Sequence, residues 1–285
     1  EPFQLGEQQV VINASIGISL FPSDALSASQ LLRNADAALF KAKSAGRNGY
    51  ALYTEELTAH AQQRVEIAFE LRRALDQQEL RVYYQPVHDL KTSRLVGVEA
   101  LVRWEHPERG LVSPAEFIPI AERTGMIAEI DAWVMQQACR QRCQWQADGV
   151  VLSFIAVNVS PRLFARSELY QQVAQVLHET GLDPAYLELE VTESAVMDDP
   201  EVALEQMHRL RELGIRLAID DFGTGYSSLL RLKRLPVQKL KIDQGFVAGL
   251  PFDEDDAAIS RVIIALAQSM GMQVHAEGIE QVEQA

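Results

Sequence analysis

Two neighbouring aspartates, Asp220 and Asp221, follow the short apolar segment 216–219 and precede the glycine-rich turn 223–225. The apolar segment is predicted to be a strand, so both carboxylates stand where that strand ends. Adjacent acids are poor core residues, because burying an unpaired charge is costly. Cations against them would remove that cost, and carboxylate oxygens suit hard divalent ions. The pair therefore predicts a metal site.

The other predicted strands also carry polar side chains near their C-terminal ends: Glu99 with Arg103, Asn158, Glu190, Lys241 with Asp243, and Glu277. Each alone has an ordinary explanation, as a solvated strand residue, a turn residue or a lysine that reaches to solvent. Together, carboxylates that converge on one rim would repel each other unless cations lay between them. Oxygen ligands of this kind favour Mg²⁺ or Mn²⁺ over zinc.

Repeated strand–helix units, starting at residue 80, would position these side chains. The predicted strands are 80–87, 95–104, 151–159, 186–191, 215–219, 237–242 and 272–276. The predicted helices are 114–123, 130–147, 163–180, 200–213 and 257–270. Seven strands with helical crossovers predict an α/β fold of the TIM-like (β/α) barrel type, with its active site at the C-terminal strand ends. An eighth unit would be expected beyond residue 285, so the barrel is expected to be C-terminally incomplete.

The first 55 residues carry a strand pattern at 10–20, one helical face at 31–42 and a short apolar segment at 51–53. Such elements are too few to close a core of their own. Their motifs resemble the C-terminal third of a GGDEF (diguanylate cyclase) domain: Ala14-Ser15-Ile16-Gly17-Ile18-Ser19, Ala35-Asp36-Ala37-Ala38-Leu39-Phe40-Lys41-Ala42-Lys43 and Gly46-Arg47-Asn48. The signature hairpin of that family is not in this sequence, so cyclase activity is not expected. Residues 56–79 follow as a charged connector helix with a narrow apolar stripe.

The net charge, the cysteine count and the hydropathy of the sequence limit which classes of protein this chain could belong to. The formal net charge of −14 disfavours a binder of nucleic-acid duplexes. Two cysteines, Cys139 and Cys143, form neither a disulfide framework nor a complete metal site, and are expected to be reduced thiols. No membrane span or signal peptide is predicted. We expect the chain to be the cytoplasmic part of a longer protein, which could be membrane-anchored.

From about residue 74 to 285, the chain resembles the EAL domain family, the cyclic di-GMP phosphodiesterases. The resemblance rests on an ordered series of motifs: Tyr84-Gln85-Pro86, Glu99-Ala100-Leu101-Val102-Arg103-Trp104, Phe117-Ile118-Pro119-Ile120-Ala121-Glu122, Asn158-Val159-Ser160, Glu190-Val191-Thr192-Glu193, Asp220-Asp221-Phe222-Gly223-Thr224-Gly225, Lys241-Ile242-Asp243 and Glu277-Gly278-Ile279-Glu280. It implies an EAL domain over residues 80–285 that hydrolyses cyclic di-GMP to linear pGpG and so lowers this second messenger in bacterial signalling.

The resemblance further implies a site with two ions, Mg²⁺ or Mn²⁺. The first ion would be held by Glu99, Asn158, Glu190 and Asp220. Asp220 would bridge to the second ion, which Asp221 and Glu277 help to hold. The ions would activate the attacking water and stabilise charge on the phosphoryl oxygens.

Four further residues receive roles from the resemblance. Lys241 would orient the water or steady the developing charge. Arg103 would pair with the second phosphate, and Gln85 would lie against a guanine. Glu280 would brace the movable loop 222–228.

Two expectations concern the rest of the molecule. The family carries a supporting glutamine on the eighth strand, which would lie beyond residue 285. A homodimer formed through the EAL domain, near the loop after Asp221, is also expected.

Three other classes remain open from the residues. The first is an EAL domain that binds cyclic di-GMP as a receptor without cutting it. The second is a glycosidase, because barrels often present paired acids, although adjacent aspartates with Asn158 and Lys241 fit metal-bound phosphate better. The third is an interaction module in a signalling protein, for which the connector helix is the supporting feature.

Overall fold

The structure is a computed structural model that describes residues 3–5, 8–10, 13–44, 48–224 and 229–284. The chain divides into two compact units, Glu1–Leu71 and Arg72–Ala285. Predictions that fall on residues 11–12, 45–47 and 225–228 lie outside the described residues.

The N-terminal unit contains two small sheets and a helix. Strands β1 (Phe3–Leu5) and β2 (Gln8–Val10) pair antiparallel. Strands β3 (Ile16–Ile18) and β4 (Tyr50–Leu52) pair in parallel and are joined through helix α1 (Ala28–Ser44). Gly17 lets α1 approach β3, since a Cβ there would lie 2.0 Å from the Ala35 carbonyl oxygen. Helix α2 (Glu55–Asp76) then runs across the boundary between the units.

The C-terminal unit is built on one curled sheet. Its strands are β5 (Leu80–His88), β6 (Leu95–His106), β7 (Gly110–Val112), β8 (Phe154–Val159), β9 (Leu187–Thr192), β10 (Arg216–Phe222), β11 (Lys239–Ile242) and β12 (Gln273–Ala276). The spatial order is β5–β6–β8–β9–β10–β11–β12, with β7 paired to β6. All neighbours from β6 to β12 along this order are parallel. This order confirms the predicted α/β, TIM-like class.

Helices follow the strands and cover the outside of the sheet. They are α3 (Pro114–Thr124), α4 (Ile127–Ala147), α5 (Pro161–Phe164), α6 (Leu169–Thr180), α7 (Glu193–Asp198), α8 (Pro200–Glu212), α9 (Leu229–Leu232), α10 (Gln244–Ala248) and α11 (Glu254–Ser269). Pro200 opens α8 behind Asp199, whose side chain accepts a hydrogen bond from Val202 N–H, as a capping aspartate does. None of the described helices is long and apolar enough to cross a bilayer.

Side chains on the parallel strands alternate between two environments. On β9, Leu187, Leu189 and Val191 are buried on one side, while Glu188 and Glu190 are buried on the opposite side. The apolar side packs beneath the helices, as it does on β8, which α4 covers. The opposite side faces the inside of the curled sheet, and this side holds charged residues such as Glu188 and Glu190.

The structure differs from the sequence prediction in several elements. Residues 13–15 and 19–20 of the predicted strand 10–20 are not strand, and the short elements β7, α7, α9 and α10 were not predicted. Strand β5 runs antiparallel to β6 and is joined to it by the short connection 89–94 without a helix. The predicted helix 163–180 is two helices, α5 and α6, since the chain turns between Phe164 and Leu169.

Both cysteines are free; Cys139 is buried and Cys143 half-buried.

Candidate active site

The ammonium group of Lys241 lies at the centre of the acidic residues. Lys241 is 0% exposed. Its Nζ lies 2.5 Å from Glu190 Oε2, 2.5 Å from Glu277 Oε1, 3.1 Å from Asp220 Oδ1 and 3.4 Å from Glu99 Oε2. Four strands and the segment after β12 thus bring together side chains that are far apart in the sequence.

The register of the parallel strands explains this convergence. On β10, Ala218 pairs with Glu190 of β9, while Asp220 lies two residues further along the same face. Lys239 of β11 is the partner of Ala218 on the other side, and Lys241 again lies two residues further along. The small side chain of Ala218 leaves room between the longer charged side chains. A second buried pair, Lys239 with Glu188, lies one step nearer the strand beginnings, where the Lys239 ammonium is 3.7 Å from the centre of the Phe154 ring.

A β-bulge places both aspartates at the site. Successive strand residues normally point to opposite faces, so Asp220 and Asp221 would be expected to separate. The pairing between β10 and β11 shifts between Ile219 and Phe222. The backbone of Asp221 adopts a left-handed conformation with φ of 53°, which aspartate tolerates better than most residues. Carboxylate oxygens of Asp220, Asp221 and Glu277 consequently lie within 4.8 Å of one another.

Asn158 is held in place from two directions. The side-chain nitrogen of Asn158 donates a hydrogen bond of 2.7 Å to Glu99 Oε1. The other polar atom of this side chain is its amide oxygen, Oδ1. The turn that follows is fixed by Asp131 of α4, whose Oδ2 accepts from Ser160 N–H at 3.0 Å. Burial raises the pKa of Asp131 to about 6. The sequence prediction missed Asp131; its signal is an acid on the buried face of α4, between Ile127 and Val134.

The electrostatics of the cluster are those of buried acids around one cation. Burial raises the pKa of Glu190 well above its ordinary value, with Lys241 opposing that effect and Glu99 and Asp220 adding to it. Burial, together with the Asp220 and Glu99 charges, likewise raises the pKa of Glu277 to about 7. For Lys241, burial acts to lower the pKa, but the surrounding carboxylates outweigh it and raise the pKa.

Asp221 and His275 are two further titratable residues at the cluster. Burial, and then the charges of Asp220 and Asp243, raise the pKa of Asp221. Burial and the two nearby lysines lower the pKa of His275 to about 3, so this ring is neutral. The cluster therefore contains more carboxylates than the single ammonium can compensate.

The donor set fits divalent cations. Among the described residues, Glu190 Oε1 is buried without a hydrogen-bond partner, a condition that is costly for a carboxylate oxygen. The close carboxylate oxygens of Asp220, Asp221 and Glu277 form a candidate metal-binding group. Oxygen donors of this type match Mg²⁺ or Mn²⁺. The predicted ligands Glu99, Asn158, Glu190, Asp220, Asp221 and Glu277 all lie in this region.

The loop after Asp221 is held by a residue that the sequence prediction did not single out. Glu193 opens α7 and is 2% exposed, and its Oε2 accepts from Gly223 N–H at 2.9 Å. Glu280, predicted to brace this loop, is exposed, and its carboxylate accepts no hydrogen bond from the described residues. Residues 225–228 lie outside the described residues, so the role of Glu280 stays a prediction. Glu193 belongs to the quoted 190–193 motif, but its partner is visible only in three dimensions.

Gln85 and Arg103 lie on the side of the antiparallel strands that faces the site. Gln85 is paired with Glu99 in the β5–β6 register, and paired residues of antiparallel strands point to the same side. Arg103 is four residues beyond Glu99 on the same strand and so on the same face. Its guanidinium donates to the Val102 carbonyl oxygen. The two predicted substrate-binding residues therefore line the rim beside the acidic cluster.

Comparisons with known proteins agree with this architecture. The model of the EAL domain family matches residues 68–285, and that of the diguanylate cyclase GGDEF domain matches residues 1–49. The chain is 45% identical over 280 residues to the bifunctional diguanylate cyclase/cyclic di-GMP phosphodiesterase MucR of Pseudomonas aeruginosa, covering 98% of this chain and 41% of that protein. It is 36% identical over 279 residues to the cyclic di-GMP phosphodiesterase PdeR of Escherichia coli, covering 98% of this chain and 42% of that protein.

Among solved structures, a complex of the PaMucR phosphodiesterase with c-di-GMP has a TM-score of 0.75 at 45% identity, covering 77% of this chain and 89% of that one. Fold and site thus define an α/β barrel protein with a strand-end acidic centre. The chain belongs to the EAL domain family, and its N-terminal residues match the GGDEF domain. It spans about two-fifths of the length of the curated relatives described above.

Proposed function

We propose that this chain hydrolyses cyclic di-GMP to linear pGpG in a reaction that needs two divalent cations. The observation that carries the proposal is the convergence of Glu99, Glu190, Asp220 and Glu277 on the ammonium of Lys241, in a chain of the EAL family. Relatives whose names state this activity, and a similar structure named as a c-di-GMP complex, support the choice of substrate.

Six residues would hold the ions. Glu99, Asn158, Glu190 and Asp220 would ligate one, and Asp220 would also reach the second together with Asp221 and Glu277. Bound Mg²⁺ or Mn²⁺ would lower the pKa of water and neutralise the phosphoryl oxygens. The fit is supported by the unpartnered Glu190 Oε1 and by the close oxygens of Asp220, Asp221 and Glu277.

The reaction adds a water oxygen to phosphorus and breaks the bond from phosphorus to a ribose 3′-oxygen, which takes up a proton. Lys241 would orient the attacking water or stabilise charge on phosphorus. Arg103 would hold the second phosphate at the rim. Gln85 would hydrogen-bond a guanine edge. Glu280 would brace the loop 222–228 during the reaction.

The domain arrangement and assembly are further parts of the proposal. Residues 1–55 would form the C-terminal part of a GGDEF domain, 56–79 a connector helix and 80–285 the phosphodiesterase domain. Two chains would associate through the EAL domain near the loop after Asp221. Sedimentation velocity of the chain at several concentrations tests this; a monomer at all of them would contradict it.

The test of the catalytic proposal is incubation of the purified chain with Mn²⁺ and cyclic di-GMP, with chromatographic detection of pGpG. We expect pGpG in stoichiometric yield, no product in EDTA, and a loss of at least about hundredfold in the Glu99→Gln variant, which keeps the size of the side chain. Glu116→Gln, a change of an acid on α3, is the matched control. Cyclic di-GMP binding without turnover by the wild-type chain would instead identify a receptor.

A further inference from the structure

Strands β5, β6 and β7 extend beyond the acidic cluster as an antiparallel lip. Alternation divides the lip side chains between two sides. On the helix side, Tyr84 packs edge-on against Trp145 with ring centres 4.8 Å apart, and Trp104 packs against Phe117 at 5.8 Å. Tyr83 and Tyr84 are neighbours in sequence, so Tyr83 must lie on the opposite side of the lip.

The register places Tyr83 on the site side. Gln85 is paired with Glu99, Tyr83 with Leu101 and Arg81 with Arg103. Glu99 contacts Lys241, so this row of residues begins at the acidic cluster and continues along the rim. Tyr83 is two residues from Gln85 on the same face, and two strand residues span about 6.6 to 6.8 Å. That distance is within the size of one nucleotide.

Two contacts orient the Tyr83 ring, one at its hydroxyl group and one from a guanidinium that lies over the ring. Its hydroxyl group lies 3.4 Å from Glu105 Oε1, and the Arg103 guanidinium carbon is 5.9 Å from the ring centre. Glu105 is itself fixed by Arg81, at 3.1 Å from Nε to Oε2. Tyr83 is nevertheless 45% exposed. A large aromatic ring is therefore held on the polar rim of the site and open to solvent.

The rim chemistry suits a purine joined to phosphate. An aromatic face stacks on a base, and a guanidinium attracts both a phosphate and the ring that it borders. Arg103 also supplies positive charge at the rim of a chain whose net charge is −14, whereas the charge of Arg81 is balanced by Glu105. The amide of Gln85 can read a base edge but offers no stacking surface.

We propose that Tyr83 is a further substrate-binding residue, whose ring stacks on a guanine of cyclic di-GMP while Gln85 contacts a base edge. This inference rests on the proposed function. Stacking serves binding, whereas the bond-breaking step takes place at the acidic cluster. Loss of the ring should therefore weaken substrate binding and leave the chemical step intact.

Steady-state kinetics of Tyr83→Leu and Tyr83→Phe test the proposal. We expect KM for cyclic di-GMP to rise about tenfold in Tyr83→Leu, with kcat changed less than about twofold, because one base stack is lost. Tyr83→Phe keeps the ring, and its KM should stay within about threefold of the wild-type value. Phe252→Leu is the matched control, since Phe252 is 83% exposed in the segment before α11. Where the leucine variant is poorly folded, Tyr83→Thr replaces it with a strand-forming residue.

The outcomes separate this inference from the proposed function. An unchanged KM in Tyr83→Leu, or an equal rise in Tyr83→Phe, would overturn the stacking role while hydrolysis stands. If the wild-type chain binds but does not cut cyclic di-GMP, the calorimetric Kd of the same variants tests stacking in place of KM. No binding by the wild-type chain overturns both.

Discussion

At the residue scale, Lys241 replaces part of the positive charge that the carboxylates need. Its ammonium contacts Glu99, Glu190, Asp220 and Glu277, and none of its surface is exposed. A lysine in the sequence Leu240-Lys241-Ile242 would ordinarily reach toward solvent with its charged end. Here it is enclosed, because strands on both sides direct acids toward the same point.

Removing this ammonium should destabilise the metal-free protein. We expect Lys241→Met to lower the free energy of unfolding by about 3–5 kcal/mol, since the change leaves buried carboxylates without a partner. The double variant Lys241→Met/Glu190→Gln should recover part of that loss. Denaturant unfolding in EDTA measures both, with Lys233→Met on the exposed surface as the control. Equal stability of the Lys241 and Lys233 variants would contradict the central role of Lys241.

Asp131 provides a pH signature that is separate from the acidic cluster. Its pKa of about 6 lies above the ordinary 3.8, so the folded state holds a proton that the unfolded state releases between these values. Its contribution to stability is therefore lost as pH rises from about 4 to 6.

The variant Asp131→Asn cannot ionise and should avoid this loss. Relative to the wild-type chain, we expect its free energy of unfolding to improve by up to about 3 kcal/mol between pH 4 and pH 7. Urea unfolding at a series of pH values checks this, with Asp148→Asn at the end of α4 as the control. A wild-type minus variant difference that is constant with pH would refute the assignment.

At the element scale, the end of β10 is the most constrained segment of the site. A bulge, a left-handed Asp221 and the hydrogen bond from Gly223 to Glu193 together fix where the two aspartates point. Gly223 has φ of 103°, and a Cβ there would lie 3.0 Å from Phe246 and 3.3 Å from Ile263. Both the conformation and the close contacts therefore require glycine.

Substituting this glycine should loosen the proposed metal ligands. We expect Gly223→Ala to weaken Mn²⁺ binding by about tenfold and to reduce hydrolysis, and Gly223→Pro, which also removes the donor to Glu193, to reduce both further. Calorimetric titration with Mn²⁺ measures the affinity directly. Gly149→Ala is the control, since it shares a positive φ of 84° but meets nothing within 4 Å. An active Gly223→Pro variant with unchanged Mn²⁺ affinity would count against this role for the segment.

The sequence was informative about elements with strong periodicity and less so about their direction. The strand-end acids were predicted because β9, β10 and β11 alternate or end clearly. The antiparallel β5 was missed, although the connection 89–94 is too short for a crossover between parallel strands, which needs a dozen residues or more. The bulge at Asp221 and the contact between Glu193 and Gly223 depend on tertiary register, which no local pattern encodes.

At the scale of the whole molecule, cation binding should be visible in stability. Cations that bind the folded state alone raise the melting temperature, by about 5 °C or more at a hundredfold excess over Kd. Thermal unfolding of the chain with Mn²⁺, compared with KCl of equal ionic strength, tests this. The variant Asp220→Asn/Asp221→Asn should lose the shift. A similar rise with KCl would show charge screening rather than specific binding.

The contacts of Lys241 also separate the folding of the site from the binding of metal ions. Because Lys241 supplies part of the counter-charge to four acids, the strand ends can assemble during folding without a bound ion. Under the proposed function, folding and activation by metal ions are then successive steps, and the metal-free protein is already folded. On that proposal, the rate of hydrolysis would follow the concentration of divalent ions without a round of unfolding each time.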